Sequence, residues 1–320
     1  DSTLSQLKGR RVVVTGGAGF IGSHVCEALF RLGAEIVVVD DLSTGFRDNL
    51  EAIDPKHLHF IEGDCADADR MTRVLADADA VIHLAALVSV QRSIEAPSES
   101  FHRNVQAGFS VLSAAAARSN LPVVFASSAA VYGASPVVPA REDAALDPLS
   151  PYASDKLYLE FLSKGLRSRG GRYLGLRLFN VYGPRQRADS PYSGVVSKFL
   201  ACAAVGKACA IFGDGEQSRD FIHVVDVADA LVRGVAYLIS LSTPGGWAGV
   251  LNCGSGHSIS INALHRLLAG DAAPVYGAEV SGEVRHSRAD ISKIREMLGW
   301  CPRTEFSSGL TELRMVGGGM

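Results

Sequence analysis

A short apolar run, Arg11–Thr15, passes directly into Gly16-Gly17-Ala18-Gly19-Phe20-Ile21-Gly22, and a helical pattern follows from Ser23 to Leu32. Few architectures place three glycines at this spacing between a strand and a helix. The glycines at 16, 19 and 22 let the backbone turn tightly, approach a pyrophosphate and pack helix on strand. The helix start offers free N–H groups and a partial positive charge to the phosphates. The next apolar run, Glu35–Asp40, ends in an acid placed to accept hydrogen bonds from a ribose diol. Asp40 also repels a 2′-phosphate, so the pattern predicts NAD in preference to NADP. The competing reading is a turn needed only for packing, with Asp40 as a helix cap. After the third run, Gly63-Asp64-Cys65 is placed to hold an adenine edge.

The first half of the chain repeats this alternation. Apolar runs at 57–62, 80–85, 122–127 and 173–179 are rich in Val and Ile and are separated by helical stretches. Unbroken runs of this kind fit strands buried on both faces, so the expected fold is α/β, a Rossmann-type doubly wound parallel sheet. After Phe179, segments rich in Gly, Pro and Arg separate shorter elements, including 181–193, 213–220 and 242–249. The division expected is a nucleotide-binding domain over 1–175, to which 220–250 returns, and a smaller substrate-binding lobe over 176–320. Ligands in such folds sit at the carboxyl ends of the strands.

With 320 residues, 47% hydrophobic and 20% charged, the chain is long enough for one such unit. Its net charge of -3 carries no basic field for nucleic acid or an anionic membrane. The six cysteines are scattered without metal-ligand spacing and read as reduced thiols, so no metal site is expected. Residues 1–10 lack the apolar core of a secretory signal and no stretch reaches transmembrane length, which points to the cytoplasm.

A second constellation carries chemistry. Pro151 and Tyr152 open a helical pattern in which Tyr152 and Lys156 lie four apart and share a face. A free tyrosine titrates near pH 10, so a phenolate base near neutrality requires a downward shift of about three units, or about 4 kcal/mol. Lys156 and the positive nicotinamide ring are the two charges placed to supply it. The run at 122–127 delivers Ser127 and Ser128 at its carboxyl end, where Ser128 can bond the same substrate hydroxyl as Tyr152.

Taken together, Thr15 to Gly22, the Ser128 strand end and the Tyr152/Lys156 pair resemble the extended short-chain dehydrogenases/reductases, in their nucleotide-sugar epimerase branch. Val39 to Gly45, His83-Leu84-Ala85-Ala86, Leu178 to Gln186, Gly213 to Phe221 and Leu298-Gly299-Trp300 extend the resemblance over essentially the whole chain. It implies an NAD-dependent UDP-sugar 4-epimerase. Tyr152 takes the proton of the sugar 4-hydroxyl as the C4 hydride passes to tightly held NAD, and the 4-keto sugar then turns and takes the hydride back on its other face. Ser128 steadies the oxygen, and Lys156 tunes Tyr152 and binds the nicotinamide ribose.

The same resemblance implies cofactor contacts from Gly16, Gly19, Phe20, Ile21, Gly22, Asp40, Leu42, Ser43, Thr44, Gly45, Asp64, Cys65, Leu84, Ala85, Ala86, Asn104, Ser127 and Phe179, besides Tyr152 and Lys156. It implies sugar-nucleotide contacts from Ser89, Val90, Asn180, Arg187, Val195, Phe212, Arg219, Glu283 and Ser287, besides Ser128 and Tyr152. For Arg219 the competing role is an ion pair with Asp220 or Asp226. Helices around 98–118 and 152–168 form a dimer-building bundle in related proteins, so a homodimer is implied.

Family members that dehydrate or decarboxylate usually keep an acid just after the catalytic hydroxyl residue. This chain has Ala129 and Ala130, which cannot exchange a proton, and this favours simple C4 inversion. On the sugar the signals diverge. Ser287 stands where a bulky residue excludes N-acetyl groups in UDP-galactose 4-epimerases, so N-acetylhexosamines fit. Arg187, in Pro184-Arg185-Gln186-Arg187, stands where UDP-glucuronate 4-epimerases face the sugar carboxylate, and it favours a charge-assisted pair. The competing role for Arg187 is a loop residue paired with Asp189. Asn180 in place of the usual Thr, and Val280 where an Arg is familiar, depart from the uronate pattern. The residues lean slightly to UDP-glucuronate, followed by UDP-glucose/galactose. Behind these stand a UDP-N-acetylhexosamine 4-epimerase, a nucleotide-sugar dehydratase or decarboxylase, and a non-catalytic NAD-binding sensor.

Overall fold

The computed structural model describes residues 3–118, 120–134, 137–187, 194–242, 246–269, 272–279 and 284–317. Its centre is a parallel sheet of β1 (Arg11–Thr15), β2 (Glu35–Asp40), β3 (Leu58–Glu62), β4 (Ala80–His83), β5 (Pro122–Ser128) and β6 (Arg172–Leu178), joined by a later strand, Trp247–Cys253. Short pairs of strands lie outside it: β7 (Asn180–Tyr182) with β10 (Phe221–His223), β9 (Ser218–Arg219) with β12 (Ile259–Ser260), and β8 (Ala210–Phe212) with β13 (Val275–Gly277). Trp247–Cys253 is then β11, and the sheet order is β11-β6-β5-β4-β1-β2-β3. The order reverses between β1 and β4, the place where open sheets of this kind bind nucleotides.

The apolar runs are unbroken because both sheet faces are covered. On one face Val12, Val14, Ile36 and Val38 pack beneath helices Phe20–Arg31 and Val224–Ser240. On the other, Val13, Val37, Val39, Val81, Val123 and Phe125 meet Met71, Leu75, Val111, Leu112 and Leu159 from helices Ala68–Leu75, Ala107–Ala116 and Pro151–Leu166. Successive residues alternate between the two cores, as the strand period of two requires. A third core, built on Phe199, Ile211, Phe221, Leu264 and Leu310, holds the smaller lobe together.

The later half of the chain returns to the central sheet. The segment at 242–249, expected to be a separator, contributes the start of β11, which pairs along its whole length with β6. The sheet therefore reaches past residue 250, whereas the expected return ended there. Helix Val224–Ser240 holds the C-terminal segment: Asp226 accepts from the backbone N–H groups of Arg303 and Thr304, both at 3.0 Å. Trp300, only 1% exposed, donates its indole N–H to the Asp226 carbonyl at 3.1 Å. Among the described residues, no helix is long and apolar enough to cross a membrane.

Burying an indole of this size on the sheet-bearing helix makes Trp300 a joint between the chain's end and its centre. Trp300→Ala is expected to cost about 3–5 kcal/mol of unfolding free energy in a denaturant titration. A loss under about 1 kcal/mol would show that the C-terminal segment does not depend on this contact.

Candidate active site

The glycine loop is tight for identifiable reasons. Gly16 has φ +70°, and a Cβ there would lie 2.7 Å from the Ala85 nitrogen; a Cβ on Gly22 would lie 2.1 Å from the Gly16 carbonyl oxygen. Both positions accept only glycine without movement. Helix Phe20–Arg31 begins after Gly19 with no side-chain cap, so no capping side chain competes with an anion for its first N–H groups. Gly45, in the loop after β2, comes so close to Ala18 that a Cβ would sit 2.8 Å from the Ala18 carbonyl carbon. This closes the loop of Leu42, Ser43 and Thr44 against the glycine turn.

Asp40, 6% exposed at the end of β2, accepts from the N–H groups of Ala18 and Leu42, both at 2.9 Å. Burial raises its pKa, and these two bonds oppose the rise. The carboxylate thus sits in a fixed orientation between the two loops and retains lone pairs for a diol. Asp64 lies after β3, with one oxygen accepting from Ala66 N–H at 2.8 Å and the other 2.7 Å from His102 Nε2. Cys65 behind it is buried, and burial pushes its thiol up to about 12. The N–H groups of Leu84 and Ala85 approach Thr15 Oγ1 at 3.2 and 3.4 Å, and Ala86 continues that loop. An uncapped helix start, a close-approach glycine turn and an acid at the second strand end fit an NAD molecule.

Two residues expected at the cofactor have their polar groups engaged within the protein. Asn104, 1% exposed in a π-helical turn at Phe101–Gln106, accepts from Leu87 N–H and donates to the Leu87 carbonyl, Ser100 Oγ and Asp155 Oδ2. It holds the loop after β4 against helix Pro151–Leu166. Ser127, 2% exposed, donates to Glu160 Oε1 at 2.6 Å. Phe179, 6% exposed, packs with its ring centroid 6.4 Å from that of Tyr132.

The reactive groups converge at the carboxyl edge of β5. Ser150 caps helix Pro151–Leu166 by accepting from Ala153 N–H at 3.2 Å, and Pro151 takes the first helical position. Ser93 Oγ accepts from Tyr152 N–H at 3.1 Å, fixing the first turn. The half-buried Tyr152 opens the helix beside the end of β5, where Ser128 stands. Lys156, 3% exposed, places Nζ 5.9 Å from the Tyr152 ring centroid. Burial raises the Tyr152 pKa, and the neighbouring Ser128 hydroxyl lowers it only in part. Lys156 is itself lowered to about 8, by burial first, with Asp155 acting the other way. His83 beneath it is held at about 3 by burial and by Lys156, and its Nδ1 lies 2.7 Å from Thr15 Oγ1. Near neutral pH the site is therefore a neutral phenol, a neutral imidazole and an ammonium.

The expected sugar-nucleotide residues are spread over several elements. Ser89 caps helix Val90–Glu95 by accepting from Arg92 N–H, and Val90 is exposed. Asn180 opens β7 and is exposed, Val195 opens helix Val195–Ala204, and Phe212 ends β8 at 53% exposure. Arg219 donates to the Ser218 carbonyl at 2.9 Å. The two carboxylates weighed as its ion-pair partners accept hydrogen bonds from other groups: Asp220 from Ser255, Gly256 and Ala289, and Asp226 from the C-terminal segment. Ser287 is tied to the same strand through its N–H to the Ser218 carbonyl at 3.0 Å. The Arg187 guanidinium carbon lies 5.4 Å from the Phe46 ring centroid, in a cation–π contact beside the glycine turn. Glu283, Val280 and Asp189 lie outside the described residues. Among the described residues, no cluster of His, Cys, Asp and Glu is arranged to hold a metal ion.

Sequence spacing does not reveal one part of the site. Below the reactive edge, β5, β6 and β11 align Ser127, Arg177 and Asn252 in register. Arg177 forms a two-pronged pair with Glu160, Nε to Oε1 at 2.9 Å and Nη2 to Oε2 at 2.7 Å, and also donates to Tyr132 Oη at 2.9 Å. Tyr132 in turn donates to Asn252 Oδ1 at 2.6 Å. The sequence signal that points here is the position of Glu160, four residues after Lys156 on the same helix face.

Comparison with known proteins agrees with this geometry. Residues 12–240 match the family described as NAD dependent epimerase/dehydratase. The UDP-glucose 4-epimerase of Azospirillum brasilense is 37% identical over 94% of this chain and 89% of its own. The structure of a UDP-N-acetylglucosamine 4-epimerase from Methanobrevibacter ruminantium, in complex with UDP-N-acetylmuramic acid, superposes with a TM-score of 0.88 at 38% identity, covering 97% of this chain and 99% of that one. MoeE5, 34% identical, superposes with TM-scores of 0.83 in complex with UDP-glucose and NAD (96% of this chain, 98% of that one) and 0.80 with UDP-glucuronic acid and NAD (94% and 97%). The chain belongs to the NAD dependent epimerase/dehydratase family, and its cofactor is NAD.

Proposed function

We propose that this protein is a UDP-sugar 4-epimerase that inverts C4 through a 4-keto sugar, with UDP-glucose and UDP-galactose as its main substrate pair. The observation that carries this reading is the buried Lys156, whose Nζ lies 5.9 Å from the Tyr152 ring centroid at the carboxyl edge of β5, in a chain of this family. NAD, when bound, accepts and returns the C4 hydride and sets a positive ring near the phenol. Tyr152 receives the 4-hydroxyl proton and later returns it, and Ser128 holds the same oxygen. Lys156 stabilises the phenolate and bonds the nicotinamide ribose. Ala129 and Ala130 leave no proton donor beside Ser128 for loss of water. The remaining assignments of cofactor and substrate residues, and the division into a cofactor-binding part and a sugar-nucleotide lobe, belong to this same proposal.

UDP-glucuronate is a second reading, favoured by the charge and long side chain of Arg187 and by MoeE5, whose structure holds UDP-glucuronic acid. The UDP-glucose pair is placed first because Arg187 is turned onto Phe46. Phe101, Phe109, Tyr158 and Phe161 expose 39–57% of their surface on helices that pack together, and we assign that face to a second copy of this chain. The described cysteines are free thiols, which suits a reducing cytoplasm.

The direct test incubates pure protein, without added cofactor, with UDP-glucose, UDP-glucuronate and UDP-N-acetylglucosamine and identifies products by NMR. Conversion at constant mass is expected, fastest for UDP-glucose; a need for stoichiometric NAD, or loss of water or carbon dioxide, would sink the epimerase reading. Tyr152→Phe should lower kcat about 10²–10⁴-fold with little change in KM. Arg187→Ala should leave UDP-glucose turnover within about twofold, and a selective loss with UDP-glucuronate would move the uronate to first place. Gly22→Ala, whose Cβ meets the Gly16 carbonyl, should purify without NAD, measured by absorbance of the released nucleotide.

A further inference from the structure

Tyr152, Lys156 and Glu160 recur every four residues along the sheet-facing side of one helix. Lys156 and Glu160 are both buried, at 3% and 1% exposure. An ammonium and a carboxylate at this spacing are natural partners, and burial makes each costly to leave without one. Glu160 nevertheless spends both oxygens away from Lys156. Oε1 takes Ser127 Oγ and Arg177 Nε, and Oε2 takes Arg177 Nη2. Arg177 is held in that pose by its other bonds, to Tyr132 Oη and to the Glu142 carbonyl at 3.2 Å. Its guanidinium carbon also lies 4.8 Å from the Tyr132 ring centroid.

We propose that Arg177 is a positioning residue for proton transfer: by taking Glu160 into a two-pronged pair, it keeps that carboxylate off Lys156 and leaves the ammonium free to act on Tyr152. Asp155 on the same helix directs Oδ2 to Ser100 and Asn104, and His83 on β4 is neutral beneath the lysine. Ser127 and Ser128 approach from β5, while Arg177 and Tyr132, backed by the Glu142 main chain, close the far side. An unpaired Glu160 has two lysines at four-residue spacing on its helix, the exposed Lys164, whose Nζ lies 5.5 Å from the Phe161 ring centroid, and Lys156, which is buried as Glu160 is and is the partner that needs no exposure of the carboxylate. The inference rests on the proton-transfer role proposed for Tyr152.

The test compares Arg177→Met with the double variant Arg177→Met/Glu160→Met, which removes both charges. It reads the acidic limb of kcat against pH and the phenolate ultraviolet titration, each referenced to Tyr152→Phe. In Arg177→Met, Glu160 turns to Lys156, the phenolate loses support, and both readouts should move up by about one pH unit. The double variant should return them to the wild-type position even where its thermal stability differs. Equal shifts in the single and double variants, or none in either, would overturn the proposal, because a purely structural pair gains nothing from a second substitution. If Arg177→Met does not fold, Arg177→Lys replaces it. That variant keeps the charge without the fork, and it should shift the titration in the same direction by less, with no shift counting against the proposal. If Tyr152→Phe retains full activity, the proton-transfer reading itself fails, whatever the Arg177 series shows.

Discussion

A charged pair buried under a parallel sheet's reactive edge is the constraint around which this protein is arranged. Glu160 and Arg177 are each about 1% exposed, and desolvating two ions is repaid only by near-ideal geometry with every remaining proton and lone pair engaged. The register of β5, β6 and β11 provides that geometry by setting Ser127, Arg177 and Asn252 side by side. Asn252 extends the chain of bonds to the carbonyls of Ala140 and Asp290. Ala140 is bonded in turn to the main chain at 288 and 290, next to Ser287. One polar row thus fixes the helix that carries Tyr152 and the segment that carries Ser287 with respect to the same three strands.

The cofactor side follows a different logic, in which backbone closeness takes the place of charge. Gly16 touches the Ala85 loop, Gly22 touches Gly16, and Gly45 touches Ala18. Three strand-end loops therefore meet with no side chain between them, and Asp40 ties two of them together. The backbone of these loops and the start of helix Phe20–Arg31 therefore come together with little side-chain bulk, the setting in which a helix N-terminus can receive a phosphate. A net charge of -3 is compatible with such a local arrangement, because a helix start attracts an anion through its own dipole.

How much of this is legible in the sequence depends on whether a residue acts through local spacing or through register. The glycine turn, Asp40, and the Tyr152/Lys156 pair are defined by intervals of a few residues within one element, and the structure places each where those intervals imply. The row Ser127, Arg177 and Asn252 spans 125 positions of chain and becomes visible only once three strands are paired. β11 is hidden for a related reason: it begins among the glycines at 246 and 249, which read as a separator, and its burial comes from β6 beside it rather than from an apolar run of its own. The resemblance implies Asn104 and Ser127 at the cofactor, and their hydrogen bonds, which hold a loop and a helix in place, are legible only in the structure. Arg187 shows the limit for the sugar: its contact with Phe46 depends on where two distant loops come to rest.

A proton-transfer role for Tyr152 requires more positive charge than the protein's own groups supply at the sheet edge. Burial lifts the Tyr152 phenol above its ordinary value, and the same burial brings Lys156 down to about 8. The two effects share one cause, the helix pressed against the sheet, so closer packing cannot lower one without unsettling the other. A base near neutrality requires added positive charge that does not itself titrate. A quaternary nicotinamide nitrogen has this property and a lysine does not. The protein's contribution is to set the phenol, the serine hydroxyl and the ammonium at one sheet edge, on the helix that starts at Pro151 and at the end of β5.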